Sequence, residues 1–282
     1  MQTESTPVSR FPLAATAVLA LLLLVYAPVI VGLTAEWYAD SNYSHGFLVP
    51  FISGYLIWRK RARVRELIDP AGDAAGLALI LVGMALFVLS NAAAEYFTLR
   101  LSLIITLVGL IWYLLGRRVV REAWFELLFL LFMIPWPYVI YYSATFPMQI
   151  FATKVTVKLL NLLGMSAVRQ GNIIHLPGYS LEVAEACSGL RSLISLLALG
   201  AIYARLTQKG FSRQMALFLS TIPIAIAANI FRIFFTAVGA YTISKELAED
   251  FLHELSGMMV FVVAFIMLFI WGAILKIGMK KS

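Results

Sequence analysis

The only cysteine in the 282-residue chain, Cys187, lies where a polar segment gives way to a long apolar run. The residues from Tyr179 to Val183 alternate apolar and polar side chains and predict a short strand. The run from Leu190 to Tyr203 predicts a helix that enters a membrane. A thiol at a helix start faces unpaired N–H groups and the positive end of the helix dipole, which favour the thiolate. The pattern predicts a nucleophile, although a lone cysteine in an apolar protein is more often a small buried hydrophobic residue.

An arginine within an apolar run is a second candidate. Arg232 has isoleucine and phenylalanine residues on both sides. Such a charge is costly within a membrane unless it is paired or faces water. It is either a structural cation, which snorkels to the membrane surface or pairs with a carboxylate such as Glu185 or Glu254, or a group that stabilises an oxyanion or holds a substrate carboxylate. Asn229, three residues earlier, shares its helical face.

The chain has three histidines, of which His253 is the one predicted to act in catalysis. It stands just before the last apolar run and close in sequence to Arg232, and it is followed by Glu254. A lone histidine near a membrane surface is more often structural, and we interpret His45 and His175 in that way. The spacing of the histidines and Cys187 matches no zinc pattern, so we predict no metal site and no other cofactor.

The elements that must position these residues are membrane helices. Hydrophobic residues make up 61% of the chain and charged residues 13%, against roughly 25% charged in a soluble domain. This composition predicts an all-α polytopic membrane protein, with residues 1–282 forming a single integral membrane domain. The net charge of +7 arises from basic residues in the loops and does not indicate a nucleic-acid partner.

About eight apolar runs are predicted to span the bilayer. A small insertion on the outer face, at about residues 143–186, precedes the cysteine. It contains a helix at Phe146–Leu163, with Lys154 and Lys158 on one face, and then a hairpin with turns at Gln170-Gly171-Asn172 and Pro177-Gly178. The predicted spans are Phe11–Leu33, His45–Trp58, Gly76–Ala93, Phe97–Leu115, Ala123–Tyr142, Leu190–Tyr203, Met215–Ala237 and Gly257–Leu275.

The positions of Lys and Arg predict the orientation. With the N-terminus inside and eight spans, 15 of the 22 basic residues fall on the inner side and four on the outer side. Both termini are then cytoplasmic. Cys187, Arg232 and His253 come from three consecutive spans and reach the same outer level of the membrane.

These residues carry a resemblance to a known family. The stretches Glu185-Ala186-Cys187-Ser188-Gly189-Leu190-Arg191-Ser192, Asn229-Ile230-Phe231-Arg232 and His253-Glu254, in that order, resemble the exosortase/archaeosortase family. The early Ser44-His45-Gly46-Phe47-Leu48-Val49-Pro50 looks like the N-terminal signature of the family. The resemblance extends from about Ser44 to Leu275, and the chain is similar to the form without a soluble C-terminal domain.

The resemblance implies a membrane cysteine protease or transpeptidase of the PEP-CTERM sorting type. Such an enzyme sits in the cytoplasmic (inner) membrane, with its active site facing outside. Its partners are the lipid bilayer and exported proteins whose C-terminal signal has a short motif such as Pro-Glu-Pro, a transmembrane helix and a basic tail. By the resemblance, Cys187 is the nucleophile, Arg232 the cationic stabiliser and His253 the acid/base.

Two other classes of function stay open from the residues alone. Proline-interrupted helices and intramembrane arginines also suit a multi-spanning transporter or channel, although no internal repeat is visible. A non-enzymatic assembly factor for envelope polysaccharide (exopolysaccharide) is the other alternative. Substitution of Cys187 by serine distinguishes them, because only the cysteine enzyme requires the thiol.

Overall fold

The computed structural model describes residues 11–69, 72–183, 193–242 and 251–277. It confirms an all-α polytopic membrane protein. Four of its helices are long and apolar enough to cross a membrane, or up to six if each of two bent helix pairs counts as one span. The predicted number of eight spans stays a prediction. The chain divides into two compact units, Met1–Trp136 and Pro137–Ser282, which are described separately.

The first unit is entirely helical over its described residues. Two of its helices, α5 and α6, are long single spans that match the predicted third and fourth spans. Short 3-10 helices at Ser41–Phe47 and Leu130–Met133 follow α2 and α8. The α-helices are α1 (Phe11–Val25), α2 (Ala27–Ala39), α3 (Leu48–Arg59), α4 (Arg61–Glu66), α5 (Ala74–Ala92), α6 (Tyr96–Leu115), α7 (Arg117–Glu122) and α8 (Trp124–Phe129).

The predicted first span is wrong in its form. It breaks at Tyr26 with a bend of 63° between α1 and α2, and α2 continues to Ala39, six residues beyond the predicted end of the span at Leu33. Pro28 explains the break, since it has no N–H to donate and its ring clashes with the carbonyl four residues earlier. The break buries Tyr26 completely, and its hydroxyl lies 3.1 Å from Ser102 Oγ and 2.9 Å from Thr106 Oγ1 on α6.

Helices α5 and α6 pack with their backbones close together. A Cβ atom at Gly76 would lie 2.6 Å from the backbone nitrogen of Tyr113, and one at Gly109 would lie 2.7 Å from that of Ile80. Small residues at such a crossing allow van der Waals packing and are typical of helix pairs in membranes. The two helices therefore form a closely packed hairpin.

The second unit begins with α9 (Tyr138–Leu162), a helix of 25 residues. Two predicted boundaries are wrong here. The run predicted to span over Ala123–Tyr142 is interrupted at residues 134–137, and α9 starts eight residues before the predicted helix Phe146–Leu163. The Pro135-Trp136-Pro137 segment explains the interruption, because proline cannot continue the hydrogen-bonding of a helix.

A small antiparallel sheet follows α9, with the order β1-β2-β3. Its strands are β1 (Val168–Gln170), β2 (Ile173–Leu176) and β3 (Tyr179–Glu182). The two predicted turns are confirmed, with Gly171 at φ +62° and Gly178 at φ +77°, a region that favours glycine. The predicted hairpin is thus a meander of three strands. Ile174 pairs with Leu181, and both side chains face the core of the unit.

Helices α10 (Leu193–Thr207), α11 (Phe211–Thr242) and α12 (Phe251–Ile277) form a bundle. A Cβ atom at Gly200 on α10 would collide with the Thr221 side chain of α11. One at Gly272 on α12 would lie 2.7 Å from the Tyr203 ring of α10. Each close approach permits tight packing of two helices. Among the described residues, the buried members of the apolar core between them are Leu193, Leu196, Ala204, Leu217, Ile224, Ala225, Ala228, Val260, Ala264 and Leu268.

Candidate active site

The three residues predicted to act in catalysis all belong to the second unit, and the structure describes them to different extents. Arg232 is fully described and lies on α11 with 7% of its surface exposed. His253 lies in the first turn of α12, and its side chain is outside the described part. Cys187 lies outside the described residues, in the interval 184–192.

A buried polar stripe runs along α11 and contains Arg232. Thr221, Asn229, Arg232 and Thr236 are each at most 7% exposed, at intervals that keep them on neighbouring faces of the helix. The Oδ1 atom of Asn229 has no hydrogen-bond partner within the described part of the chain. A buried polar atom without a partner costs about 1–3 kcal/mol, which makes Asn229 a notable member of this stripe.

The residues that flank the interval 184–192 on either side pack into two apolar clusters, and each cluster includes residues of α11. Val183 is completely buried, in the same cluster as Ile233 and Ala237 of α11. Leu193 is buried in a second cluster together with Ala228 of α11. The two clusters include α11 residues on either side of Arg232.

Hydrogen bonds fix the first of these two ends. The backbone N–H of Val183 donates to the carbonyl oxygen of Asn172 at 2.9 Å. The Asn172 side-chain amide donates to the carbonyl oxygen of Val183 at 3.3 Å. The sheet therefore holds the residue from which the cysteine segment departs.

The start of α12 is near the same end of the bundle as Arg232. Gly272 lies beside Tyr203, and Gly200 lies beside Thr221, which sets the register of the three helices. With a rise of about 1.5 Å per residue, the backbones of Arg232 and His253 are at levels within about two helical turns of each other along the bundle axis. The same end of the bundle thus carries both the buried Arg232 of α11 and the first turn of α12, which contains His253.

The profile of a protein family described as transmembrane exosortase matches residues 37–270. The chain belongs to the transmembrane exosortase family. The match includes both units and the positions of Cys187, Arg232 and His253, and it confirms the resemblance seen in the sequence. No curated protein and no solved structure gives a significant match.

The structure explains the local form of the early segment that looks like the exosortase signature. Gly46 lies directly beneath the Trp37 indole, where a Cβ atom would collide with the ring. Trp37 Nε1 in turn donates to the carbonyl oxygen of Met133 at 2.8 Å. His45 Nε2 lies 3.1 Å from the carbonyl oxygen of Phe132. The segment fastens the 3-10 helix at Ser41–Phe47 to that at Leu130–Met133, which agrees with a structural role for His45.

The third histidine and a second arginine also have partners. His175 lies on the exposed face of the sheet, with Nδ1 2.8 Å from Ser180 Oγ and Nε2 3.1 Å from Gln170 Oε1. Arg100 on α6 forms an ion pair with Glu36. In the described part of the chain, no group of three His, Cys, Asp or Glu residues is arranged to hold a metal ion.

Sequence reasoning missed the burial of the Asn229 and Thr236 side chains. Their spacing of three and four residues from Arg232 was the available signal. A helix with polar residues at these intervals within an apolar run predicts a buried polar face. Sequence alone does not show whether such a face meets another helix, lipid or a cavity.

Proposed function

We propose that this member of the exosortase family is a membrane cysteine protease or transpeptidase. It cleaves the C-terminal sorting signals of exported proteins near the outer face of the cytoplasmic membrane. The observation that supports this most directly is that Val183 and Leu193, which flank the cysteine segment, pack into clusters that include α11 residues on either side of buried Arg232. Cys187 is four residues from Val183, so their Cα atoms are at most about 14 Å apart.

The proposed reaction begins with the Cys187 thiolate. Its sulfur attacks the carbonyl carbon of the scissile peptide bond, and the carbonyl electrons move to oxygen. When the tetrahedral intermediate collapses, the C–N bond breaks and His253 gives a proton to the leaving amine. The products are a thioester on Cys187 and a released C-terminal peptide. Attack by water or by an acceptor amine then frees the thiolate and returns the proton to His253.

Arg232 has the role of stabilising negative charge in this proposal. Its guanidinium is permanently charged and offers five N–H donors in a planar fork. In a site from which water is largely excluded, such a donor stabilises a developing oxyanion far more than it would in water. The 7% exposure of Arg232 and the buried amide of Asn229 beside it satisfy that condition.

The substrates are exported proteins with a short motif, a transmembrane helix and a basic tail. A substrate helix reaches a site at the outer boundary by lateral movement within the lipid. Its basic tail stays on the inner side, where the positive-inside rule places most Lys and Arg residues of this chain. The topology and the chemistry of the proposal are therefore consistent with each other.

The test is co-expression with an exported protein that bears a candidate sorting tail, followed by mass spectrometry of its C-terminus. Wild type is expected to produce a shortened protein that ends either in a free carboxylate or in an amide to the acceptor. C187A is expected to leave the tail intact. Unchanged cleavage by C187A would exclude a thioester mechanism. If no tail is cleaved but C187S abolishes envelope assembly, the thiol has a different role.

A further inference from the structure

A groove lined by basic side chains lies between the C-terminal half of α9 and the edge strand β1, outside the proposed active site. Its volume is about 430 Å³. Lys154 and Lys158 are one helical turn apart on α9, and Arg169 lies opposite on β1. The complete lining is Lys154, Val157, Lys158, Asn161, Leu162 and Arg169.

The positive charge of the groove is not neutralised by the described residues around it. Lys154 and Lys158 are exposed, and no described carboxylate lies within 4.0 Å of the charged nitrogens of these two residues or of Arg169. Arg169 Nη1 donates to the carbonyl oxygen of Gly171 at 2.9 Å, which leaves its other N–H groups available. Three cations without carboxylates favour an anionic ligand.

The groove is also held in shape by its own hydrogen bonds. The Asn161 side-chain amide donates to the carbonyl oxygen of Ala167 at 3.0 Å, and its Oδ1 accepts from the Ala167 N–H at 3.0 Å. This reciprocal pair fastens the end of α9 to the start of β1. The distance between the lysine-bearing helix and the arginine-bearing strand is therefore fixed before any ligand binds, which reduces the cost of binding.

Exposed apolar side chains continue from the charged part of the groove. Leu162, one turn after Lys158, is 73% exposed, and the adjacent Leu163 is 62% exposed. Leu159 is 39% exposed. Basic groups next to exposed leucines form an amphipathic surface, as in helices that lie at the headgroup level of a bilayer. A soluble anion accounts for the cations but not for the leucines.

We infer that this groove binds the phosphate headgroup of an anionic phospholipid, with the acyl chains lying over Leu162 and Leu163. Lys154 and Lys158 supply point charges to the phosphate, and Arg169 supplies planar N–H donors. The chain spans a membrane, so such lipids are present at high local concentration. The bound lipid would anchor the C-terminal half of α9 at the headgroup level.

The test measures lipid binding to the full-length protein in neutral detergent by native mass spectrometry. Dioleoyl phosphatidylglycerol is titrated against dioleoyl phosphatidylcholine. Wild type is expected to bind phosphatidylglycerol more tightly. The variant K154Q/K158Q/R169Q is expected to lose at least about tenfold in that affinity, since each basic residue near an anionic surface contributes roughly fivefold. The variant K154Q/K158Q keeps the Arg169–Gly171 turn and is expected to lose an intermediate amount.

The matched control is R61Q/R63Q/R65Q, which removes three charges from the basic run of the first unit. It is expected to weaken binding of lipid to that run, but to change the tightest affinity less than about threefold, because the groove stays intact. Equal losses in both variants would show a non-specific charge effect and overturn the inference. Full displacement of the lipid by millimolar inorganic phosphate would also overturn it, because the leucines would then contribute nothing. Independently of any variant, photoactivatable phosphatidylglycerol should crosslink to wild-type peptides within residues 154–169, and crosslinks confined to other regions would contradict it.

Discussion

Lys60 Nζ lies 2.9 Å from Glu126 Oε1, and the glutamate side chain is almost completely buried, at 1% exposure. The lysine also donates to the carbonyl oxygen of Glu122 at 3.0 Å. The pair joins the C-terminal end of α3 to α8 across 66 positions of sequence. A carboxylate buried in an apolar unit is tolerated because the lysine neutralises it.

Removal of the lysine is therefore expected to destabilise the first unit. K60M leaves the Glu126 charge buried without this partner, and breaking a buried pair costs about 3–5 kcal/mol. K60M/E126L, which removes both charges, is expected to be more stable than K60M. The comparison is R63Q, which breaks an exposed pair with Glu66 and should cost at most about 1 kcal/mol. Unfolding midpoints in detergent measure all three, and a K60M midpoint equal to wild type would contradict the prediction.

Gly46 and Gly54 allow a paired test of the early segment. G46A forces Trp37 to move and breaks its hydrogen bond to Met133, so we expect a loss of about 1–3 kcal/mol. Gly54 lies within α3, and a Cβ atom there would have no described atom within 4 Å apart from the neighbouring backbone of its own helix. G54A should be neutral or should stabilise by up to about 1 kcal/mol, because alanine is the better helix former. The same unfolding midpoints, together with Trp fluorescence, check both. Equal effects of the two substitutions would exclude the proposed fit.

Glu95 caps the N-terminus of α6 and makes stability depend on pH. Its carboxylate accepts from the backbone N–H groups of Phe97 at 3.0 Å and of Thr98 at 2.7 Å. The side-chain hydrogen bond from Thr98 is the largest of the causes that hold the pKa of Glu95 below its usual value, and burial opposes it; the backbone N–H groups of Thr98 and Phe97 lower the pKa further. A lowered folded-state pKa stabilises the fold above the unfolded value of about 4.3, and this contribution is lost as the pH falls through the folded value.

We therefore expect E95Q to be less stable than wild type at pH 7, by about 1 kcal/mol as for other N-caps. The difference should shrink as the pH falls below about 4. Unfolding midpoints of the two proteins from pH 7 to pH 3 measure it, with E66Q as the control on an exposed carboxylate. A difference that stays constant to pH 3 would show that charge is not the cause.

The long single spans were predictable because each one coincides with a mainly apolar stretch of the sequence. Helices α5, α6, α11 and α12 each coincide with a predicted apolar run, and the turns at Gly171 and Gly178 follow from residue types that favour turns. The break at Tyr26 was not predicted, although Pro28 was visible. Its hydroxyl partners on α6 are 76 and 80 positions away, and hydropathy averaged over a run carries no such information.

In the candidate site, the burial of one residue was predictable from the sequence. Arg232 stood out because a charge in an apolar run requires an explanation, and its burial agrees with that reasoning. The Lys60–Glu126 pair was not predicted, since Lys60 belongs to a basic run that is typical of an inner loop. One basic side chain of this run pairs with Glu126 of α8. Sequence alone does not show which one, because it is the fold that brings α8 close to the run.

The single thiol permits a direct test of orientation. The distribution of basic residues predicts that Cys187 lies on the outer side and both termini inside. A membrane-impermeant maleimide should label Cys187 in intact cells, and the C187S variant, which has no thiol, is the negative control. Labelling that requires permeabilised cells, but not detergent, would place the thiol inside and contradict the topology.

Two arginines within apolar helices allow a paired comparison. R232K keeps the charge but loses the planar fork of donors, so cleavage of a sorting tail should fall sharply while the protein still accumulates. R100K is the matched control, because a lysine can keep the surface-proximal ion pair with Glu36. Its cleavage should stay near that of wild type. Equal activity of R232K and wild type would limit Arg232 to a structural role.

Double variants then test whether the three residues act as one unit. H253A removes proton transfer, which typically contributes about 10²–10⁴-fold, and C187A removes the nucleophile. Groups that serve one chemical step are not additive, so H253A/R232K should be little worse than the poorer single variant. Rates of tail cleavage, normalised to the amount of protein in the membrane, provide the measurement. Losses that multiply fully would mean that Arg232 and His253 act in separate steps, with Arg232 holding the substrate rather than stabilising the oxyanion.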